Sequence, residues 1–533
     1  MDNSASAEPR KIAGSQEPVL QTRRAGVLLP ITALSASTSA TTADAPGCGV
    51  FDMACRFIDW IASAGFSVWQ LLPMGPTQID RSPYLCLSSL AGESQFIGLH
   101  WLYKIGLLEK PPTVSIQPAQ PALASSGHSL AVKTAHHQFQ QLAPDHHLHC
   151  SYQQFCEQTR QWLPDFALFM ALHRQHNQSW QQWPAALRDR DPEALAASQE
   201  QLHEQIALIQ FAQFLFFQQW SEIRDYARHK GVFLFGDMPL FVAHDSADVW
   251  ANRDYFKLTA DGQPQVVAGV PADYFSPTGQ RWGNPHYHWD NLQRDHFYWW
   301  LQRLQVHVNM FDLLRIDHFR GLCSAWEIPA TSPTAESGHW QPAAGEPLLA
   351  ALTEYLSSTQ PQVLHPQSQL PLVAEDLGLI TPEVINLRDQ FNLPGMAVLQ
   401  FAFDGGSDNP YLPENLKTWS VLYTGTHDND TTLGWFLGLS EQQQKQVTDY
   451  LHCSVEQMPQ ALVEAALVSR AQLAVIPLQD ILGLGAGNRI NTPGTVGNNW
   501  LWQIQWQQLT EAIATQFLSL NIASGRCPNR AAF

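Results

Sequence analysis

Eight short runs of mostly apolar residues constrain the fold of this chain more than any other feature. Runs of this length that are almost continuously apolar are typical of parallel strands buried on both faces. The runs are AGVLLPI from Ala25, FSVWQLLP from Phe66, GVFLFGD from Gly231, MFDLLRI from Met310, LPLVAE from Leu370, MAVLQFAF from Met396, SVLYTG from Ser420 and QLAVIPLQD from Gln472.

Helical patterns precede several of these runs. The clearest is ALIQFAQFLFFQQWSEIRDYARHK, which lies directly before the third run. Such alternation predicts an α/β fold, a (β/α)8 TIM barrel. The length of 533 residues would by itself allow three or four domains. A barrel with large insertions explains the length equally well. We predict a polar N-terminal tail at 1–22 and a single catalytic barrel over 23–533.

The spacing of the runs places two insertions around the cleft of the barrel, at about 73–230 and 239–310. Within the first, residues 111–149 are rich in Pro, Gln, Ser and His, which predicts an exposed loop. Within the second, the segment up to residue 295 is dense in Gly, Pro and aromatic residues. The tail has no apolar core of a secretory signal, and no apolar run approaches the ~20 residues of a membrane span.

Charge and cysteine content exclude several classes of function. The formal net charge is -18, from 30 basic and 48 acidic residues. Such a surface repels nucleic-acid backbones and anionic membranes, whereas a neutral substrate is not affected. The eight cysteines show no C-x-x-C spacing, so they indicate neither a zinc site nor a redox pair. Reduced thiols in a cytoplasmic protein are the simplest interpretation.

Three acidic residues stand at the ends of apolar runs: Asp317, Glu375 and Asp428. A carboxylate at the end of a buried strand destabilises the fold unless it is paired with another group or has a functional role. One such residue often caps the next helix, but three of them fit an active site at the C-terminal rim of a barrel. Two carboxylates and a charge stabiliser are what glycosidic bond chemistry requires.

The residues around these acids suggest separate roles. Arg315 and Asp317 share one face of a strand, and the arginine would keep the carboxylate ionised, as a nucleophile must be. A structural ion pair is the alternative. Glu375 follows three apolar residues, and desolvation there would raise its pKa, which suits a proton donor. The alternative is a strand-end carboxylate beside a helix-capping Asp376. His427 could contact sugar hydroxyls or be a satisfied core histidine.

Two further motifs could suggest cofactors. GLGAGN, from Gly483, has the glycines of a dinucleotide loop, but such a loop must lead into a helix, and Pro493–Gly494 disfavours one. DHHLH, from Asp145 to His149, could hold a metal, yet adjacent histidines in a polar segment are usually solvated. The sequence therefore predicts no cofactor and no metal.

Several motifs together resemble the 4-α-glucanotransferases, also called amylomaltases or disproportionating enzymes, of the α-amylase clan. The similarity runs from about Gly26 to about Trp502. The acid-centred motifs occur across the clan, whereas the long lid motif is specific to the glucanotransferases. The motifs are WQLLPMGPT, SPY, GDMPLFVA, GVPADYFSPTGQRWGNPHY, RIDHFRG, AEDLG, GTHDND and NTPGT.

This resemblance implies a role for each matching residue. It implies that Asp317 is the nucleophile, Glu375 the general acid/base and Asp428 the third carboxylate, which grips sugar hydroxyls. The implied substrate-binding residues are Tyr84 as an aromatic platform, Asp237 as a hydroxyl contact, Arg315, His318 and His427 as polar partners of the sugar, and Trp282 in a loop that covers the cleft.

The chain also departs from the family pattern. Around residues 33–50 the usual LPTSLPS and GIGDLG are replaced by a Ser/Thr/Ala-rich stretch, which puts any glucan contact of that loop in doubt. Ala272 replaces a proline of the lid motif, which would loosen that loop slightly. Gln503 stands where an arginine is common. None of these changes touches the three carboxylates.

The resemblance implies a cytoplasmic enzyme that transfers α-1,4-glucan segments between maltooligosaccharides or starch-like glucans by a retaining mechanism. Retention predicts Asp317 and Glu375 carboxyls about 5–6 Å apart.

Transfer needs a cover that excludes water, and Gly269–Tyr287 is the candidate, with Tyr274, Phe275 and Trp282 as stacking faces. An ordinary packed loop is the alternative for that segment. A retaining α-amylase-type hydrolase and an inactive glucan-binding protein are the alternative functions. Chain-length preference, cyclisation and oligomeric state are not determined by the sequence.

Overall fold

The computed structural model describes residues 18–34, 49–110, 121–272, 278–364, 369–495 and 497–527, with backbone only for 121–126. The strands of these residues, in chain order, are β1 (Arg24–Leu28), β2 (Val68–Gln70), β3 (Phe233–Met238), β4 (Val266–Val270), β5 (Gln280–Pro285), β6 (Leu313–Ile316), β7 (Ser324–Pro329), β8 (His339–Pro342), β9 (Leu372–Ala374), β10 (Gly395–Val398), β11 (Ser420–Tyr423) and β12 (Leu473–Pro477).

Eight parallel strands form the barrel, in the order β10-β11-β12-β1-β2-β3-β6-β9. A hydrogen bond from Ala374 N to Pro394 O, 2.9 Å long, links β9 to the residue before β10, so the two ends of the sheet meet. Each predicted apolar run contributes one strand, and the predicted (β/α)8 barrel is confirmed.

Helices surround the barrel because their apolar positions recur every three or four residues. In the first helix the buried side chains are Phe51, Ala54, Phe57, Ile58 and Ile61. The α-helices of the described residues are α1 (Phe51–Ser63), α2 (Leu99–Lys104), α3 (Pro121–Gln141), α4 (His147–Gln158), α5 (Leu163–His176), α6 (Ala185–Arg188), α7 (Pro192–Gln201), α8 (His203–His229), α9 (Ala247–Ala251), α10 (Trp289–Arg294), α11 (Tyr298–Met310), α12 (Gly345–Thr359), α13 (Pro382–Gln390), α14 (Thr432–Gly438), α15 (Glu441–Leu451), α16 (Gln460–Val468), α17 (Leu478–Ile481) and α18 (Glu511–Ala523).

The interior of the barrel changes from apolar to polar towards the carboxyl ends of the strands. Side chains alternate across each strand, so every second residue points inward. The inner apolar cluster includes Val68, Phe235, Leu313 and Val421. Two residues further along these strands stand Gln70, Asp237, Arg315 and Tyr423, all buried. The barrel therefore presents a polar layer at the rim where catalytic residues of such folds lie.

A second, smaller sheet was not predicted. It has four antiparallel strands in the order β5-β4-β7-β8. The segment Gly269–Tyr287, predicted to be a covering loop, includes the end of β4 and the whole of β5 of this sheet. Residues 273–277, including Tyr274 and Phe275, lie outside the described residues.

The prediction of an exposed loop over 111–149 is wrong for most of that segment. Helix α3 and the start of α4 occupy it, while residues 111–120 lie outside the described part. His128, Val132, Ala135 and Phe139 are buried at helical spacing. Most of the tail at 1–22 and of the altered loop at 33–50 also lies outside the described residues. Within the helices that the structure describes, none is long and apolar enough to cross a membrane.

Candidate active site

The three predicted carboxylates follow strands that end at the same rim of the barrel. Asp317 follows β6, Glu375 follows β9, and Asp428 lies five residues beyond β11. Backbone hydrogen bonds fix the first two, from Asp317 N to Met238 O (3.0 Å) and from Glu375 N to Ile316 O (3.1 Å). The parallel register thus carries the two acids to neighbouring positions.

Arg315 lies between two carboxylates. Its Nη1 donates to both oxygens of Asp237, at 2.8 and 2.6 Å, and its Nη2 lies 2.9 Å from Asp317 Oδ1. The pairing register of β3 and β6 sets Asp237 directly opposite Arg315. Burial by itself would lower the pKa of Arg315, but the charges of Asp237 and Asp317 outweigh it and raise that pKa well above its ordinary value. A fixed positive charge therefore adjoins the Asp317 carboxylate.

The Glu375 carboxyl is held by two backbone donors. His318 N donates to Oε2 at 2.8 Å, and Leu377 N donates to Oε1 at 3.2 Å. Burial raises the pKa of Glu375 to about 7, although the charge of Arg315 opposes this. Asp376 does not cap a helix but binds Arg388 and, at 2.7 Å, Met396 N. Glu375 is thus a carboxyl that gains and loses a proton near neutral pH.

His318 lies at the turn directly after Asp317, with a positive φ of 52°. Burial lowers the pKa of its imidazole to about 4, so the ring is neutral. Its buried Nε2 has no hydrogen-bond partner among the described residues. A neutral ring with an uncommitted nitrogen can donate to or accept from a sugar hydroxyl.

Trp282 packs edge-to-face against His318, with ring centroids 4.9 Å apart. Trp282 was predicted in a loop, but it lies on the strand β5 and is half-buried. Its Nε1 donates to Gln280 Oε1 at 3.1 Å. The small sheet therefore brings one aromatic ring to the residue next to Asp317.

Tyr84 lies in the loop after β2 and stacks on His427. The centroids are 5.2 Å apart with 19° between the planes. The Tyr84 hydroxyl donates to Asp237 Oδ2 at 2.8 Å, and burial raises the pKa of this phenol well above its usual value. A third ring, Trp500, lies 6.0 Å from both and has a φ of 65°, which is rare for a bulky residue.

Asp428 is more exposed than the other two acids, with 47% of its side chain accessible. The loop after β12 holds it: Asn491 Nδ2 donates to its Oδ1 at 2.6 Å, and Arg489 Nη2 donates to its backbone oxygen at 2.8 Å. Asn491 N also donates to His427 O at 3.2 Å. The sequence identified the NTPGT motif but gave no role to Asn491, Arg489 or Trp500.

All nine predicted residues take part in one of two series of contacts. One series runs from Trp282 through His318 to Glu375, and the other joins Asp317, Arg315, Asp237, Tyr84, His427 and Asp428. Along the chain these nine residues are spread over more than three hundred positions, and the closed barrel brings them together. The arrangement can stabilise developing charge, supply a nucleophile and transfer a proton.

The two cofactor-like motifs lie apart from this chemistry. The GLGAGN loop is followed by a single 3₁₀ turn at Ala486–Asn488, not by an α-helix whose amino end could bind phosphate. DHHLH forms the beginning of α4. Across the part of the chain that the structure describes, no group of three or more His, Cys, Asp or Glu side chains could hold a metal ion.

Comparison with known proteins gives a family and a fold for the chain. A family model described as 4-alpha-glucanotransferase matches residues 35–510. A 4-alpha-glucanotransferase of Synechocystis is 44% identical over 89% of this chain and 94% of its own length, and one of Thermus thermophilus is 43% identical over 86% and 91%. The solved amylomaltase of Streptococcus agalactiae, in complex with acarbose, is 32% identical with a TM-score of 0.85, covering 95% of this chain and 99% of its own.

Proposed function

Because the chain belongs to the 4-alpha-glucanotransferase family, we propose that it transfers α-1,4-glucan segments between maltooligosaccharides or starch-like glucans. One observation supports this chemistry above the others. A carboxyl with a pKa of about 7 accepts a hydrogen bond from the residue beside a second carboxylate that is paired with a buried arginine. Such a pair supplies a proton donor and an ionised nucleophile in one cleft.

In the first step, the Asp317 carboxylate attacks the anomeric carbon while protonated Glu375 gives its proton to the leaving glycosidic oxygen. The bond between Asp317 and the sugar forms as the glycosidic bond breaks. Arg315 keeps Asp317 ionised and correctly oriented through its contact with Asp317 and its bidentate pair with Asp237. We propose that the two carboxyls lie about 5–6 Å apart in the glucan complex.

In the second step, ionised Glu375 takes a proton from the 4-hydroxyl of an acceptor sugar, and that oxygen attacks the ester. Asp317 leaves, and the α-1,4 linkage is restored because two inversions give retention. Water in place of the acceptor would give hydrolysis. Exclusion of water and binding of an acceptor therefore decide between the two outcomes.

The surrounding residues bind the sugar at the cleavage point. Tyr84 supplies a platform that is fixed by its stack on His427 and its hydrogen bond to Asp237. Asp428 and His427 accept from and donate to sugar hydroxyls, and Asn491 orients Asp428. His318 offers its uncommitted Nε2 to another hydroxyl. The acarbose bound by the Streptococcus amylomaltase supports a glucan-like ligand.

The alternatives are a retaining hydrolase on the same barrel and an inactive glucan-binding protein. Incubation with maltotriose separates all three. A transferase produces longer and shorter oligosaccharides with no net gain of reducing ends. A hydrolase accumulates reducing ends, and an inactive protein leaves maltotriose unchanged.

Trp282→Ala is expected to lower transfer more than hydrolysis. The ring borders the cleft beside His318, where it can stack on an acceptor and shield the ester from water. Stacking of this kind contributes about 1 kcal/mol, roughly fivefold in acceptor occupancy. The measurement is the ratio of new oligosaccharides to free reducing ends from maltotriose. Trp282→Phe keeps a ring against His318 and is the control. An unchanged ratio in Trp282→Ala, with both activities falling together, assigns the residue to folding or donor binding.

The rate of the first step is expected to fall as pH rises above about 7. Glu375 acts there in its protonated form, and its pKa of about 7 leaves that form dominant below neutrality. The loss should approach tenfold per pH unit on the alkaline side, in kcat/KM for maltotriose. A donor sugar with a good leaving group needs no proton from Glu375, so its rate should not fall in this way at alkaline pH. If the rates with both donors fall equally at alkaline pH, the fall is due to a group other than Glu375.

We also propose that residues 23–533 form one catalytic barrel with insertions at about 73–230 and 239–310, and that the protein is cytoplasmic. The seven cysteines within the described residues are free, as expected in a reducing compartment. Measurement of free thiols in protein from lysed cells tests the location.

A further inference from the structure

A cavity of about 250 Å³ lies in the first insertion, among the loop after β2 and helices α3, α5 and α8. One wall is apolar and includes Val132, Phe166 and Ile209. The loop after β2 contributes polar lining residues, including Glu93, Ser94 and Gln95. The volume is slightly below the ~300–1,000 Å³ of pockets for drug-sized ligands, so it holds one sugar ring and not a glucan chain.

Three charged side chains line this cavity: Glu93, Lys133 and Arg174. Lys133 and Arg174 are exposed to solvent, and Arg174 lies near enough to Glu93 for their charges to interact, without a salt bridge between them. Glu93 Oε1 accepts from Gln95 N at 2.9 Å. Burial raises the pKa of Glu93, against that hydrogen bond and the nearby charge of Arg174.

We propose that this cavity is a regulatory site for a hexose phosphate. A phosphate group carries a charge of about −1.5 to −2 at neutral pH, which is opposite in sign to the exposed side chains of Lys133 and Arg174. Arg174 and Lys133 bind the phosphate oxygens, which charge-assisted hydrogen bonds favour. The sugar ring enters the cavity, where its C–H face meets the apolar wall and Glu93 accepts from a hydroxyl.

The loop that lines the cavity continues to the catalytic platform. Glu93 N donates to Met74 O at 2.8 Å, and Leu87 N donates to Pro76 O at 2.7 Å. Thr77, which lines the cavity, pairs with Cys86, two residues after Tyr84. A ligand that shifts residues 76–95 would therefore shift Tyr84, which lies in the same loop. This coupling rests on the proposed role of Tyr84 as a glucan platform, whereas binding itself does not.

Calorimetric titration of the whole protein with glucose 6-phosphate tests the site. Arg174→Gln/Lys133→Gln should bind at least about tenfold more weakly than the parent, since both charge-assisted contacts are lost. Arg160→Gln/Lys445→Gln removes the same charge from two exposed side chains elsewhere and should bind as the parent does. No binding by the parent, or equal affinity in the first double variant, overturns the proposal. Equal affinity for glucose overturns the phosphate assignment.

The coupling has its own test. Glucose 6-phosphate should shift the KM for maltotriose at least about threefold in the parent and in the control variant, but not in Arg174→Gln/Lys133→Gln. An unchanged KM in the parent at saturating ligand overturns the regulatory role. Titration of Asp317→Asn measures binding without turnover, so failure of the proposed transfer activity is distinguishable from failure of this site.

Discussion

Asp317→Asn is expected to reduce turnover of maltotriose on the order of 10⁴-fold or more, the scale seen when an enzyme loses its nucleophile. The amide has the size of the carboxylate but cannot form the glycosyl ester. Arg315 keeps its bidentate partner Asp237, so the barrel rim should stay folded. The measurement is the initial rate of glucose release, with mass spectrometry of the denatured protein to detect a covalent sugar.

Two controls define that result. The melting temperature of Asp317→Asn should stay close to that of the parent, since the Asp317 side chain is 30% exposed. Glu157→Gln also removes a carboxylate from an arginine pair, that of Arg160, on an exposed surface, and should keep full activity. Turnover of Asp317→Asn within tenfold of the parent, or a covalent sugar on that variant, would place the nucleophile elsewhere.

Glu375→Gln is expected to separate the two steps by leaving-group chemistry. With maltotriose, the leaving oxygen needs a proton that the amide cannot give, and the rate of the first step should fall roughly 10²–10⁴-fold. With α-glucosyl fluoride, fluoride leaves without a proton, so the first step should proceed at nearly the parental rate. The covalent ester should then accumulate, because no base activates the acceptor hydroxyl.

Rapid mixing of Glu375→Gln with glucosyl fluoride measures the accumulation of the ester. We expect a burst of one equivalent of fluoride per enzyme, followed by a slow steady state. Azide, an acceptor that needs no base, should restore turnover of the accumulated ester and yield a glucosyl azide of retained configuration. The acid/base assignment is wrong if the variant slows fluoride and maltotriose equally in the first step.

The barrel could be predicted from sequence because its strands are buried on both faces. Burial on both faces makes a strand apolar at consecutive positions, and eight such runs are visible without any alignment. The first two acids were located by the same logic, since they directly follow β6 and β9. Their partner Arg315 was found because residues two apart share one face of a strand.

Other parts depend on contacts that no local pattern encodes. Asn491 meets Asp428 across sixty-three residues, and its loop has irregular backbone. Trp282 reaches His318 only because β5 pairs with β4 and β4 with β7. These strands are short and include Gly and Pro, which weaken a strand pattern. The position of the Trp282 ring therefore depends on strand pairing between segments that are distant in sequence, which the sequence pattern does not show.

The error over helix α3 has a different origin. Its buried positions recur at helical spacing, but Gln, Ser and His fill the positions between them. Composition was given more weight than periodicity, although the burial of one face is what stabilises such a helix.

The small sheet has a consequence for engineering this protein. From Asp317 the chain passes through His318 and a 3₁₀ turn into β7, which pairs with β4; β4 pairs with β5, and Trp282 on β5 returns to His318. Asp317 and Trp282 therefore belong to one closed circuit of covalent links, strand pairing and ring packing. A chimaera that exchanges β4 and β5 alone would cut this circuit, and a one-residue shift in register would turn Trp282 to the other face. The transplantable module is the whole stretch from residue 266 to residue 342.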